Sequence, residues 1–169
     1  MTAPALPSTI FPAISLQFES RLSAPREWIW DWITSLRGIS AELSPLLRMT
    51  APKGVHNIAD LEFKPGERLF RSRVYLFRIL PIDRSDLTLL ELDPGHGFLE
   101  QSPMLSMRLW RHERRILAYS DDASAVRLID RLTFSPRWAP GLVRWFLRRV
   151  FLHRHAVLRS AFASTLASP

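Results

Sequence analysis

Apolar and polar residues alternate strictly in the first regular segment of the chain. Four apolar residues share one face of this stretch: Ile14, Leu16, Phe18 and Leu22. Alternation with a period of two is typical of a half-buried strand, so residues 14–22 are predicted as the first strand. Ser23 as N-cap and Pro25 in the first turn then predict a helix that runs to about Ser35.

A stretch rich in Pro and Gly, residues 50–67, predicts a loop, and beyond it apolar runs are separated by turn signals. Turns are expected at residues 81–83 and 93–95. Turn signals at such short spacing favour an antiparallel meander. The strands predicted after the first one span residues 45–49, 68–80, 87–92, 97–102, 104–118 and 125–134.

A long helix is predicted over about residues 140–166, because apolar residues recur there at helical spacing on one broad arc. A sheet with one apolar face needs a cover, and this helix is the only predicted element long enough to provide it. We therefore predict an α+β fold. A curved antiparallel sheet of about seven strands wraps around the C-terminal helix, with one or two short helices after strand 1. The opposite arc of the long helix is expected to face water and carries Arg144, Arg148, His155 and Arg159.

Two charged residues lie on surfaces that this pattern turns inward. Asp130 is the only charge on the apolar face of residues 126–134, and Arg154 lies within the apolar arc of the long helix. We expect the two to face each other across the gap between sheet and helix, because buried charges need partners. Two interpretations stay open. Arg154 forms a structural ion pair with Asp130 or with Glu100, or these charges line a cavity.

A third group of candidate residues lies in the strand predicted at residues 104–118. Trp110, His112 and Arg114 share one face of it, and a change of phase upstream predicts either a bulge near Arg108 or a strand with apolar residues on both sides. If this face points inward, the three side chains converge on the same interior space. His112 is then a candidate acid or base near neutral pH. The alternative is a histidine that only hydrogen-bonds its neighbours.

Composition narrows the classes of function. A chain of 169 residues, 47% of them hydrophobic, fits one domain over residues 14–166, after a loose N-terminal tail of residues 1–13. The absence of cysteine excludes disulfides, thiolate metal sites and cysteine nucleophiles. No apolar run approaches the roughly 20 residues of a membrane span. The N-terminus lacks the features of a secretory signal, so a cytoplasmic location is expected.

Charge and motifs exclude further classes. The net charge is +7, but the arginines are dispersed rather than clustered, so no nucleic-acid partner is expected. His153 and His155 point roughly 200° apart on a helix, so they predict no shared metal ion. Dinucleotide, phosphate-binding and nucleophile-elbow motifs are absent, and no cofactor is expected. The sequence does not indicate an oligomeric state.

Several local motifs have the spacing of a known family. The first motif is the helix start at residues 23–30 (Ser-Ala-Pro-Arg-Glu-Trp-Ile-Trp), and the second is a pair of strands within residues 100–114. The last motif is the final strand and helix, at residues 130–136 and 151–158. These motifs resemble the START-like helix-grip superfamily (SRPBCC), in its polyketide cyclase/dehydrase-like branch. The resemblance implies a hydrophobic cavity between the sheet and the long helix. It implies no shared set of catalytic residues.

The leading hypothesis is binding or transfer of a small hydrophobic molecule, lipid-like or polycyclic, in that cavity. One alternative is a cyclase- or dehydrase-like enzyme that acts on a polyketide-like or aromatic substrate. His112 would be its acid or base, and Arg154 or Arg114 would polarise a carbonyl, oriented by Asp130 or Glu100. Another alternative is weak contact with anionic membranes through Arg144, Arg148, Arg149, Arg159 and Trp145. The predicted ligand-binding residues are Glu100, Trp110, His112, Arg114, Asp130 and Arg154.

Overall fold

The computed structural model describes residues 12–119, 121–122 and 124–163. Within them, the helices are α1 (Arg26–Thr34), α2 (Leu36–Leu43) and α3 (Pro140–Ala163), with a 3-10 turn at Ile58–Asp60. The strands are β1 (Ile14–Leu22), β2 (Leu47–Met49), β3 (Arg68–Leu76), β4 (Leu80–Asp93), β5 (Gly97–Glu100), β6 (Met107–Ala118) and β7 (Val126–Pro136). They form one antiparallel sheet in the order β1-β7-β6-β5-β4-β3-β2. The sheet curls around α3, which confirms the predicted helix-grip fold.

The turn between β3 and β4 lies elsewhere than predicted. It occupies residues 77–79, whereas the expected turn at residues 81–83 lies inside β4. Phe77 and Arg78 adopt φ angles of 47° and 68°, a conformation that large side chains rarely adopt. The turn was placed wrongly because residues 77–79 contain no typical turn residue, whereas Pro81 is one. In the structure Pro81 lies in β4 and pairs with Tyr75.

The first helix starts two residues later than predicted. Pro25 rather than Ser23 is the N-cap of α1, and no side chain caps that helix. The side chain of Ser35 caps α2 instead, accepting a hydrogen bond from the Gly38 amide.

The register between β6 and β7 shifts between Met107 and Leu109, which confirms the bulge near Arg108.

The core contains two apolar clusters along the length of α3. One joins Leu22 of β1 and Leu128 of β7 to Leu158 of α3. The other joins Phe18 and Leu132 of the same strands to Phe151 of α3. Because each strand and the helix contribute to both clusters, the residues between these positions form a layer between the two clusters.

The predicted domain limits extend outside the described residues. The tail of residues 1–13 lies almost wholly outside them, and so does the predicted end of the long helix at residue 166. The limits 14–166 therefore stay a prediction. Within the described part of the chain, no helix has the length and apolar character that a membrane span requires.

Candidate functional site

A layer of buried polar side chains separates the two apolar clusters. Ser20 lies between Phe18 and Leu22 on β1, and Asp130 lies between Leu128 and Leu132 on β7. The other members occupy corresponding places on the neighbouring elements. The layer comprises Ser20, Glu42, His112, Arg114, Asp130, Arg154 and His155, all of them buried.

Asp130 is the centre of this layer and accepts four hydrogen bonds. Arg114 donates from Nε and Nη2, each at 2.7 Å. His112 Nε2 lies 2.7 Å from Oδ1, and His155 Nε2 lies 3.0 Å from Oδ2. Burial favours the neutral carboxyl, but the charge of Arg114, followed by His112, outweighs it and holds the pKa of Asp130 well below its ordinary value. Asp130 is therefore an ionised acceptor.

The expected ion pair between Asp130 and Arg154 is wrong. Arg154 pairs with Glu42 of α2, at 2.9 Å from both Nε and Nη2 to Oε2. Glu100 is not its partner either. Glu42 also accepts from Nη1 of Arg114, at 2.9 Å and 3.2 Å to its two oxygens. The charges alternate along the chain of contacts from Asp130 through Arg114 and Glu42 to Arg154, so each one has an opposite neighbour.

Glu42 was missed at the sequence level, although a pattern pointed to it. It lies three residues after Ile39 and next to Leu43, on the apolar arc of a short amphipathic helix. Its exposed fraction is 0%. An isolated carboxylate on an apolar arc predicts a buried partner in the same way as Arg154 did.

His155 was predicted to face water, and this is wrong because α3 also packs against β1. The ring is buried, with Nδ1 2.8 Å from Ser20 Oγ. Ser20 Oγ accepts a hydrogen bond from Arg159 Nη1 at 2.9 Å, which leaves its own proton free to donate to His155. Together with the acceptor Asp130 at Nε2, this pattern places the ring proton of His155 on Nε2. His155 is thus a structural link between helix and sheet.

His112 differs from His155, because it also lines the interior space between the sheet and α3. Nε2 donates to ionised Asp130, so Nδ1 is the ring nitrogen that stays available to another partner. Nδ1 lies 3.6 Å from Oε2 of Glu100. The other oxygen of Glu100 accepts from Ser102 Oγ at 2.6 Å and from Trp110 Nε1 at 3.2 Å. The indole and hydroxyl therefore fix Glu100 beside His112.

A cavity of about 740 Å³ lies between the inner face of the sheet, α2 and α3. Most of its wall is apolar. Of the six predicted ligand-binding residues, four line it: Glu100, Trp110, His112 and Arg154. Asp130 and Arg114 do not line it. They lie behind the wall, where they hold His112 and Glu42.

Arg154 presents donor groups to this cavity. Its Nε and Nη2 are held by Glu42, whereas Nη1 has no hydrogen-bond partner among the described residues. Burial, and then the nearby charge of Arg114, lower the pKa of Arg154, although the charges of Glu42 and Asp130 oppose this shift. A hydrogen-bond acceptor in the cavity would therefore satisfy Nη1 and stabilise the guanidinium charge.

The described residues contain no group of three or more histidine, aspartate or glutamate side chains that could hold a metal ion. The acidic residues of the buried layer are instead occupied by arginine and histidine. The arrangement can bind an acceptor at Arg154 and exchange a proton at His112. Both groups face the same cavity.

The family model that matches this sequence covers residues 20–162 and is described as a domain of unknown function, DUF8410. The chain belongs to the DUF8410 family. Among curated proteins, none matches the sequence significantly. The matched range contains every residue of the buried layer and the four candidates that line the cavity, so these belong to the DUF8410 domain itself.

Solved structures show that this DUF8410 chain has the START-like fold. The Zhui aromatase/cyclase from Streptomyces sp. R1128 is 12% identical, with a TM-score of 0.62 and coverage of 93% of this chain and 98% of that one. A START superfamily protein from Mycobacterium smegmatis is 8% identical, with a TM-score of 0.61 and coverage of 89% and 97%. Ara h 8.0201 is 10% identical, with a TM-score of 0.61 and coverage of 91% and 100%. At these identities the likeness establishes the fold alone.

Proposed function

We propose that this protein binds a small, mostly apolar molecule in the cavity between sheet and α3. The observation that carries the proposal is the cavity itself, about 740 Å³ with a mainly apolar wall that includes the polar residues Glu100, His112 and Arg154. Ligand sites for small molecules have volumes of roughly 300–1,000 Å³ and a few convergent polar groups. A lipid-like or polycyclic molecule has matching size and polarity.

The polar end of the ligand is proposed to be a carbonyl, a hydroxyl or an acid. Arg154 Nη1 needs an acceptor, and Glu100 and His112 add polar groups to the wall of the same cavity. A purely apolar molecule would leave Arg154 Nη1 without a partner, which costs free energy in a site that excludes water. We therefore expect an amphiphilic ligand rather than a hydrocarbon.

Native mass spectrometry of the purified protein, followed by organic extraction, tests this proposal. We expect a bound amphiphile, or uptake of added dodecanoic acid in a one-to-one complex. The matched variants are Val143→Trp, which adds volume at a partly buried cavity residue, and Leu152→Trp, which adds the same volume on the exposed side of α3. Loss of uptake in the first variant alone supports the proposal. Equal uptake by both variants, or no uptake by the wild type, contradicts it.

A second candidate is an enzyme that moves a proton next to a carbonyl. The observation that favours it is His112, which lines the cavity and which Asp130 orients at 2.7 Å through Nε2. Arg154 would polarise the carbonyl, and His112 would remove a proton from the adjacent carbon. The aromatase/cyclase with the same fold makes such chemistry compatible with this architecture.

Exchange of deuterium into α-tetralone, followed by NMR, tests this second candidate. A positioned acid or base accelerates such a step by about 10²–10⁴-fold. The variant His112→Gln keeps a donor to Asp130 but cannot take up a proton, so it should abolish the acceleration without loss of binding. If exchange with the wild-type protein is no faster than in buffer, the binding function stands alone.

A further inference from the structure

The mouth of the cavity is surrounded by large exposed apolar side chains. We define the mouth rim as Ile82 of β4, Trp138 just before α3, and Leu142 and Trp145 in the first two turns of α3. All of them line the cavity, yet their exposed fractions are 43%, 62%, 65% and 56% in that order. Large apolar side chains that are both exposed and grouped mark an interaction surface.

A neighbouring turn extends this apolar surface. Phe77 and Ile79 in the turn between β3 and β4, and Leu80 at the start of β4, are 59%, 80% and 56% exposed. The turn ends at residue 79, three positions before Ile82, so its exposed apolar side chains lie close to the rim along the chain.

The electrostatic surroundings of the rim are basic. From residue 131 to the end of the sequence there is no aspartate or glutamate. Arg137, Arg144, Arg148 and Arg149 are exposed around the rim, and Arg149 lies 5.7 Å from the ring centre of Trp145. Asp83, an acid near the rim, accepts hydrogen bonds from the backbone amides of Arg84, Leu105 and Ser106.

We infer that the mouth rim docks on an anionic phospholipid bilayer. Tryptophan is suited to the headgroup level because one edge of the indole is polar and the rest is apolar, and arginine contacts lipid phosphates. An apolar cavity that opens in the middle of this surface favours a bilayer over a protein partner, since a bilayer continues the apolar environment across the mouth. The membrane surface predicted from the sequence included Arg159. The surface inferred here omits it, because Arg159 donates a hydrogen bond to Ser20 of the buried layer.

Vesicle sedimentation with the full chain tests this inference. Vesicles of phosphatidylcholine alone are compared with vesicles of equal parts phosphatidylcholine and phosphatidylglycerol, at low and at high salt. We expect binding to the anionic vesicles, a blue shift of tryptophan emission, and weaker binding at high salt because the Debye length falls from about 10 Å at 0.1 M to about 3 Å at 1 M. Leu142→Glu should lower the partition coefficient about tenfold or more, and Arg144→Ala about fivefold.

Two matched controls separate the rim from general surface effects. Leu152→Glu places the same charge on an exposed leucine of α3 outside the rim, and Trp28→Ala removes an exposed tryptophan from α1, as a counterpart to Trp145→Ala. Circular dichroism melting checks that each variant is folded. Weakened binding in the rim variants alone supports the inference. Binding that ignores anionic lipid, equal effects of rim and control variants, or a dimer abolished by Leu142→Glu without any vesicle binding overturns it.

Discussion

Replacing Asp130 by Asn is expected to destabilise the protein more than the equivalent replacement of any exposed carboxylate. Asn has nearly the same shape, but its amide nitrogen is a donor. Whichever side that nitrogen takes, it faces two donors: Arg114 Nε and His112 at Oδ1, or Arg114 Nη2 and His155 at Oδ2. The substitution thus removes two hydrogen bonds and leaves the buried charge of Arg114 with Glu42 as its remaining carboxylate partner.

The magnitude follows from this loss. Breaking a buried ion pair by removing one partner costs about 3–5 kcal/mol, because an uncompensated charge stays in the interior. A domain of this size is stable by about 5–15 kcal/mol in total, so the variant loses a large fraction of its stability. With a slope of about 2 kcal/mol per M urea, the unfolding midpoint should fall by about 2 M.

Urea unfolding followed by tryptophan fluorescence measures this change. The matched control is Glu113→Gln on the neighbouring strand β6. Glu113 pairs with Arg115 at 3.0 Å and with Arg131 at 3.3 Å on the water-facing side of the sheet. Such a pair contributes about 0–1 kcal/mol. A loss below about 1 kcal/mol for Asp130→Asn, or equal losses in the two variants, would refute the argument that alternating buried charges stabilise this core.

Three further outcomes are expected. The low pKa of Asp130 in the folded protein adds stability that is complete above a pH of about 4 and is lost as the pH falls through that pKa. The free energy of unfolding should therefore decline more steeply in acid for the wild type than for Asp130→Asn. Gly97→Ala should lower the free energy of unfolding by at least about 1 kcal/mol in thermal or urea unfolding. Gly97 has a φ of 147°, and a Cβ there would lie 2.1 Å from the carbonyl oxygen of Arg114. Gly141→Ala is the control and should not destabilise, because a Cβ at Gly141 meets no atom within 4 Å. Arg154→Met should weaken dodecanoic acid binding by about tenfold or more in calorimetry while Arg154→Lys retains part of it; equal affinity in wild type and Arg154→Met would show that the acid does not contact Arg154.

The elements of the fold were largely predictable because periodicity reports which side of an element is buried. Alternation identified β1 and β7, and helical spacing identified α3. The same reasoning placed Asp130 and Arg154 inside, and both are buried. The turn at residues 77–79 was not predictable, since its left-handed conformations carry no glycine or asparagine.

Periodicity alone does not identify the partner of a buried charge. The sequence shows that Asp130 and Arg154 each require an opposite charge, but the partner depends on the register of strands and on where α2 meets α3. Tertiary packing brings Glu42, 112 positions away in sequence, to Arg154, and Arg114 to Asp130. It also determines that His112 faces the cavity while Asp130 lies behind it. The need for compensation is a local property of the sequence, whereas the pairing depends on distances that only the folded chain determines.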